Sequence, residues 1–485
     1  MNSKLNILCF CLVLVGPNID AQNKSKPNLI VIMADDLGYA DVGFNGSKDI
    51  LTPNIDQIAE NGVKFTNGYT SYSVCGPSRA GFITGRYGQR FGFERNPQYR
   101  VDNPNMGLPK TEKTIAEYLK TVGYTSGIIG KWHLGAHKSN HPLNRGFDEF
   151  FGHLGGGHTY FPKNLVLKDS YFTGDHIQIP NEEGGGKTWR AGAEIASYRT
   201  WIMRDHEPVK TEKYLTEEFS DEAVRFVERN KEQPFFLFLS YNAPHTPMQA
   251  TKKYLDRFPA IKEKKRKTYA AMVSALDDGV GQLLNRLKEL NLEENTIVVF
   301  LSDNGGPEKK HASNNGVLRE GKSSIYEGGF RVPFAIQWKG TLNKSICNYP
   351  VSSLDILGTI ADLTKVEIEE DKPLDGVNII PFLTGKEKGT PHQNIFIRKY
   401  DQKLYSVRDG NLKLVVKKNG NRKELYNLEK DISESNNIAS SNKEDVKRLY
   451  NILNEWESEL IDPIFLGLIH TKAWRNRTKK KSQKK

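Results

Sequence analysis

The sequence predicts an α/β fold in which a large sheet is sandwiched by helices and followed by a smaller C-terminal unit, an antiparallel sheet with one packed helix. Three observations predict it. Four apolar runs of strand length each lead into a polar cluster, amphipathic helical patterns lie between them, and short strands with hairpin turns crowd the C-terminal part. Because these runs are apolar without alternation, they suit strands buried on both faces, as in a parallel sheet covered by helices. A chain of 485 residues is long enough for such a core and for two or three domains.

Asn28 to Ala34 is the first strand and runs into Asp35-Asp36. Thr114 to Thr121 has a helical pattern, and Thr125 to Ile129 is a second strand leading to Lys131-Trp132-His133. Leu215 to Arg229 places Phe219, Val224, Phe226 and Val227 at helical spacing, and the strand Phe235 to Ser240 precedes His245. A longer helix over Tyr269 to Leu290 carries Met272, Val273, Leu276, Val280, Leu284 and Leu287; the strand Thr296 to Ser302 then ends in Asp303-Asn304-Gly305-Gly306. In open α/β sheets sites form at the carboxyl ends of strands, so these four polar clusters are predicted to converge on one pocket. After residue 385 the pattern changes. Asn394 to Arg398, Leu404 to Arg408, Leu412 to Lys417 and Glu424 to Asn427 read as strands, with turns at Asp409-Gly410 and Asn419-Gly420. Glu444 to Leu460, with Val446, Leu449, Leu453 and Trp456, reads as the packed helix, and there is no internal repeat.

The composition, 37% hydrophobic and 26% charged, is that of a globular chain. Residues 1–21 stand apart: Lys4, an apolar run from Leu5 to Val15 and a small residue at Ala21 read as a secretory signal peptide, too short to span a membrane. The expectation is an exported protein, periplasmic or secreted, without integral membrane association. Beyond that segment only Cys75 and Cys347 remain, which leaves no disulfide framework. The net charge is +11, but eight of the basic residues follow His470, leaving about three for the body. Such a basic tail reads as a solvated, disordered end, and the charge gives little support to nucleic-acid binding.

Asp35, Asp36, Asp303 and Asn304 are hard oxygen donors, suited to Ca²⁺ and less to zinc. Either pair alone would equally suit a turn and helix cap. Between them in sequence lies C-G-P-S-R-A-G-F-I-T-G-R, Cys75 to Arg86, which resembles the signature of the type I (formylglycine-dependent) sulfatase family. Phe82 and Ile83 stand where that family usually has leucines; all are apolar. G-K-W-H-L-G (Lys131, His133), A-P-H-T-P (His245), R-E-G-K (Lys322), E-G-G-F-R-V-P and the Pro381 to Gly385 segment are also similar to the family, so the resemblance covers nearly all of the chain after residue 21.

The resemblance implies an alkaline-phosphatase-like mixed sheet sandwiched by helices, with a catalytic domain over residues 22–385, an α+β subdomain over 386–470 and the tail at 471–485. It implies that a formylglycine-generating or anaerobic maturation enzyme oxidises Cys75 to formylglycine (3-oxoalanine), whose hydrate attacks the sulfur of a sulfate ester. One calcium would be held by Asp35, Asp36, Asp303, Asn304 and the modified Cys75. Arg79 would steady the nucleophile, and Lys131 and Lys322 would offset charge on the sulfate. Either His245 or Lys322 would protonate the leaving alcohol, and His133 would deprotonate the second hydroxyl so that sulfate is expelled. Thr84-Gly85-Arg86 would close the helix that carries Cys75 and Arg79.

The expected substrate is a sulfated polysaccharide or its oligosaccharides. The G-F-D-E-F-F-G-H-L segment and the loop organisation look most like secreted bacterial sulfatases acting on ulvan or carrageenan, with glycosaminoglycan sulfatases close behind. His158, Tyr160 and Trp189, in or near the long polar stretch from Lys163 to Glu207, are the candidates for sugar contact. Rival readings are a phosphate or phosphonate monoester hydrolase of the same superfamily, a non-catalytic polysaccharide-binding protein, and a secreted nucleic-acid binder resting on the tail alone.

Overall fold

The structure, a computed structural model, describes residues 26–161, 176–180, 186–190 and 201–470. The signal segment, most of the long polar stretch, the side chain of Trp189 and the basic tail lie outside the described residues.

The main sheet contains, in chain order, β1 (Asn28–Ala34), β2 (Gly62–Phe65), β3 (Thr125–Lys131), β4 (Glu149–His153), β5 (Met203–Arg204), β6 (Glu207–Pro208), β7 (Phe235–Ser240), β8 (Thr296–Ser302), β9 (Phe334–Gln337) and β10 (Ser345–Cys347). Their spatial order is β10-β2-β9-β8-β1-β7-β3-β4-β5-β6. The centre from β8 through β1, β7 and β3 to β4 is parallel, while β9 runs antiparallel to both β8 and β2. The sheet is therefore mixed, with a parallel core made of the four expected strands and β4.

Helices α1 (Pro53–Glu60), α2 (Cys75–Thr84), α3 (Ile115–Lys120), α4 (Leu215–Asn230), α5 (Lys264–Glu289) and α6 (Asp355–Thr364) cover this sheet. On β1, Leu29, Val31 and Met33 share a core with residues of α2, α3 and α6, whereas Ile30, Ile32 and Ala34 share one with α1, α4 and α5. Both faces of the strand are thus buried, which is why its sequence is a continuous apolar run. Thr114 caps α3 in a capping box with Glu117, and α2 ends at Gly85, whose φ of 64° is the left-handed C-cap that glycine adopts without strain.

The C-terminal sheet is a four-stranded antiparallel meander of β11 (Asn394–Lys399), β12 (Leu404–Asp409), β13 (Leu412–Lys417) and β14 (Arg422–Asn427). Its Tyr405, Val407, Leu414, Val416 and Leu425 pack on Leu449, Leu453 and Trp456 of α7 (Lys443–Ser458). Its opposite face sets Ile395, Ile397, Val415 and Tyr426 against Tyr69, Tyr72, Ile325 and Phe330 of the larger unit. This second contact brings the end of β11 to the loop that carries Lys322. Among the described residues, no helix is long and apolar enough to cross a membrane, and Cys75 and Cys347 are both free and buried.

Candidate active site

Four strand ends and one helix build the site. β1 and β8 are parallel neighbours, and where they finish Asp303 N–H donates to the Ala34 carbonyl at 2.9 Å. Asp36, at a φ of 68°, then donates its N–H to Asp303 Oδ1 at 3.2 Å. Adjacent strands of one register thereby bring three carboxylates together. β3 supplies Lys131 as its last residue and His133 beyond it, and β7 leads to His245. Cys75 is the first residue of α2, so the helix's N-terminal end lies beside the cavity that Cys75 lines, with Gly76 N–H donating to Asn96 Oδ1 at 2.8 Å.

Arg79, Lys131 and Lys322 are each matched to an aspartate. Arg79, fully buried, places Nε and Nη2 both 3.0 Å from Asp303 Oδ2, and its Nη1 donates to the Lys131 carbonyl at 3.1 Å and to Ser240 Oγ. Lys131 Nζ lies 2.6 Å from Asp35 Oδ2. Lys322 Nζ reaches Asp36 Oδ1 at 2.6 Å and Cys75 Sγ at 3.0 Å, and Asn304 Nδ2 donates to Asp36 Oδ1 at 2.7 Å. Arg79 and Lys131 are committed to aspartates behind the cavity wall, while Cys75, Asp36, His133, His245 and Lys322 line a cavity of about 930 Å³. The catalytic and metal residues expected from sequence therefore stand together.

The donor set fits a hard cation. Ligand atoms of Asp35, Asp36, Cys75 and His245 lie within 4.8 Å of one another. Asp36 Oδ2 and Asn304 Oδ1 are buried with no hydrogen-bond partner among the described residues, an arrangement that leaves oxygen lone pairs unsatisfied unless a cation takes them. Burial and the charge of Asp35 push the Asp303 carboxyl above its ordinary value against the pull of Arg79. Burial would also raise Asp36, but Lys322, aided by His245 and His311, holds it well below the carboxylate range.

Proton-holding capacity differs sharply among the lining groups. Burial opposes the charge on Lys322, yet Asp36 and the neighbouring acidic groups keep it protonated well above the ordinary lysine value. Burial, with Lys131 and Arg79, lowers His133, leaving its imidazole neutral. His245 is lowered to about 3, mainly by burial and then by Lys322 and Lys131, against Asp36. Its Nδ1 faces the Thr246 carbonyl at 2.7 Å, and because a carbonyl only accepts, that nitrogen carries the ring proton. The Cys75 thiol is pushed far up by burial and by Asp303. As a thiol it is a poor nucleophile.

The residues expected to touch sugar fare differently. His158 and Tyr160 do not line the cavity: both are fully buried. His158 Nδ1 meets the Thr159 carbonyl at 2.8 Å and its ring packs by His153, while Tyr160 OH donates to the carbonyls of Asn242 and His245, at 2.6 and 2.8 Å. Tyr160 supports the His245 loop from beneath and offers no stacking face. Among the lining residues that escaped the sequence reading, two cationic or titratable ones matter most. His311 places Nδ1 3.4 Å from Asp36 Oδ2 and its ring edge-on to His245, and Lys399 enters from the C-terminal sheet. Neither lies in a recognisable motif.

Comparison with known proteins gives a consistent picture. Residues 27–366 match the sulfatase family model, and residues 321–459 match the model described as N-sulphoglucosamine sulphohydrolase, C-terminal. Human steryl-sulfatase is 32% identical over 425 residues, covering 77% of this chain and 72% of that protein. Human N-acetylgalactosamine-6-sulfatase is 33% identical over 377 residues, covering 74% and 66%. Among solved structures, Ps i-CgsB in complex with k-i-k-neocarrahexaose is 39% identical with a TM-score of 0.83, covering 94% of this chain and 98% of that one.

Proposed function

The chain belongs to the sulfatase family of sulfuric ester hydrolases, and we propose that it removes sulfate from carrageenan-type oligosaccharides by way of a formylglycine formed at Cys75 and one calcium ion. The observation that carries the substrate class is the likeness over nearly the whole chain to a structure holding a neocarrahexaose. The open cavity of about 930 Å³ agrees with it, being at the upper end of the ~300–1,000 Å³ usual for ligand sites.

Asp35, Asp36, Asp303 and Asn304 would hold the calcium, which polarises an oxygen and stabilises negative charge. Formylglycine supplies, as its hydrate, a second hydroxyl that a thiol or serine lacks. The elevated thiol of Cys75 speaks against direct thiolate chemistry, and the formylglycine reading requires a maturation enzyme. Arg79 and Lys131 anchor Asp303 and Asp35. His133, neutral and lining the cavity, takes the proton of the second hydroxyl, so that sulfate is expelled and the aldehyde restored.

Lys322 is the proton donor to the leaving alcohol. It is protonated and faces the cavity, whereas neutral His245 has its one proton directed at Thr246. Lys322→Ala should lower kcat/KM for a sugar sulfate by roughly 10²- to 10⁴-fold. The loss on an activated aryl sulfate, whose leaving group needs no proton, should be much smaller. Equal losses on both would move the acid role to His245. The substrate class is tested by ion chromatography of sulfate released from a panel of oligosaccharides. Release is expected from carrageenan fragments, with little from heparan or chondroitin fragments; release from the latter alone, or from ulvan alone, overturns the carrageenan assignment and leaves the family chemistry standing.

A further inference from the structure

Lys399 is a buried lysine in the active-site cavity that the chemistry above does not use. It ends β11 and is 8% exposed. Its Nζ donates to the carbonyl of Ser323, the residue after Lys322, and an ammonium has two further hydrogens to give. The acidic groups that act on it by charge are Glu320 and Asp401. Both are engaged elsewhere: Glu320 accepts from Ser324 Oγ at 2.5 Å, and Asp401 forms a two-point pair with Arg95 at 2.6 and 3.0 Å. Burial lowers Lys399 to about 8, as expected for a cation withdrawn from water with no carboxylate in contact.

Its surroundings favour a sugar. Asp401 and Gln402, from the turn after β11, and Leu468 and Ile469, from the segment after α7, line the cavity with it. Together they offer the Gln402 amide, an apolar surface, the mutually engaged Arg95–Asp401 pair, and Lys399 as a cation with hydrogens to spare. The floor, with Cys75 and Lys322, would hold the scissile sulfate.

We propose that Lys399 binds a second sulfate of the substrate, on the sugar unit adjoining the one that carries the scissile ester. The inference rests on the sulfated-oligosaccharide reading above. It differs from a purely positioning role, in which the Lys399 to Ser323 contact merely steadies the Lys322 loop and every substrate would suffer alike.

The test compares three substrates: an aryl sulfate, and two carrageenan oligosaccharides of equal length with one and with two sulfates per disaccharide. Lys399→Met should lower kcat/KM for the doubly sulfated oligosaccharide about 10- to 100-fold more than for the other two, mostly through KM, as loss of a charged hydrogen bond implies. Lys399→Arg should recover most of that difference. In protein inactivated by Cys75→Ala, titration calorimetry should show the same ordering of affinities. A uniform loss across the three substrates overturns the subsite and leaves the polysaccharide reading intact. Wild-type turnover of the aryl sulfate with neither oligosaccharide desulfated overturns both.

Discussion

Cys75→Ala abolishes sulfate ester hydrolysis while leaving the protein folded. The expected fall in kcat is roughly 10⁴- to 10⁶-fold, the scale seen when a covalent nucleophile is removed. Cys75 lies at the first turn of α2 with Sγ 3.4 Å from Asp35 Oδ1 and 3.0 Å from Lys322 Nζ. Its removal touches the point where the reacting oxygen must stand and little else. The core beneath α2 is made by Ala80, Phe82 and Ile83, so the stability change should stay within about 1 kcal/mol. Cys75→Ser, which keeps the volume, should fail as completely, because a single hydroxyl lacks the second oxygen of an aldehyde hydrate. Denaturation curves report the fold. Mass analysis of the Cys75 peptide, from wild-type protein made alongside a maturation enzyme, should show an aldehyde in place of the thiol. An active alanine variant, or a fully active enzyme with an intact thiol, sinks the formylglycine reading.

Much of this site was legible because its parts sit at strand ends, where sequence announces them. An apolar run such as Asn28–Ala34 that stops at two aspartates marks both the buried strand and the point where it leaves the sheet. Gly85 marked the end of α2 because only a left-handed cap lets the chain turn there without strain. The start of α5 was less visible. Its apolar spacing begins at Tyr269, but Glu263 caps the helix by accepting from Lys265 and Arg266, and the first turn is a run of basic residues in which Arg266 pairs with Asp41 and Asp49. His158 and Tyr160 show a different limit: an aromatic in a loop reads the same whether it meets a sugar or fills the space under a neighbouring loop. Lys399 was hidden because docking of the C-terminal sheet, not local pattern, brings it to the cavity, and His311, seven residues beyond Asn304, because no motif marks it.

Removing calcium should abolish activity, and Asp303→Ala should do so irreversibly. Asp303 joins three groups: Oδ2 balances Arg79, Oδ1 accepts the Asp36 N–H, and the carboxylate would complete the oxygen set with Asp35, Asp36 and Asn304. Truncating it leaves the Arg79 guanidinium fully buried and unbalanced, and breaking a buried pair of this kind costs about 3–5 kcal/mol. Asp303→Asn should be milder in stability, since an amide oxygen can still accept from Asp36, yet it too should lose the ion because the charge is gone. Metal analysis of wild-type protein should find one calcium per chain, and both variants should lack it. In wild-type protein a calcium chelator should lower the Tm as well as the rate, because an ion bound only by the folded state stabilises it by mass action. Added calcium should restore both. Stoichiometric zinc, with activity recovered by zinc alone, would contradict the oxygen-donor argument and shift the ligand set toward His245, the one imidazole whose ring nitrogen clusters with Asp35, Asp36 and Cys75 among the described residues.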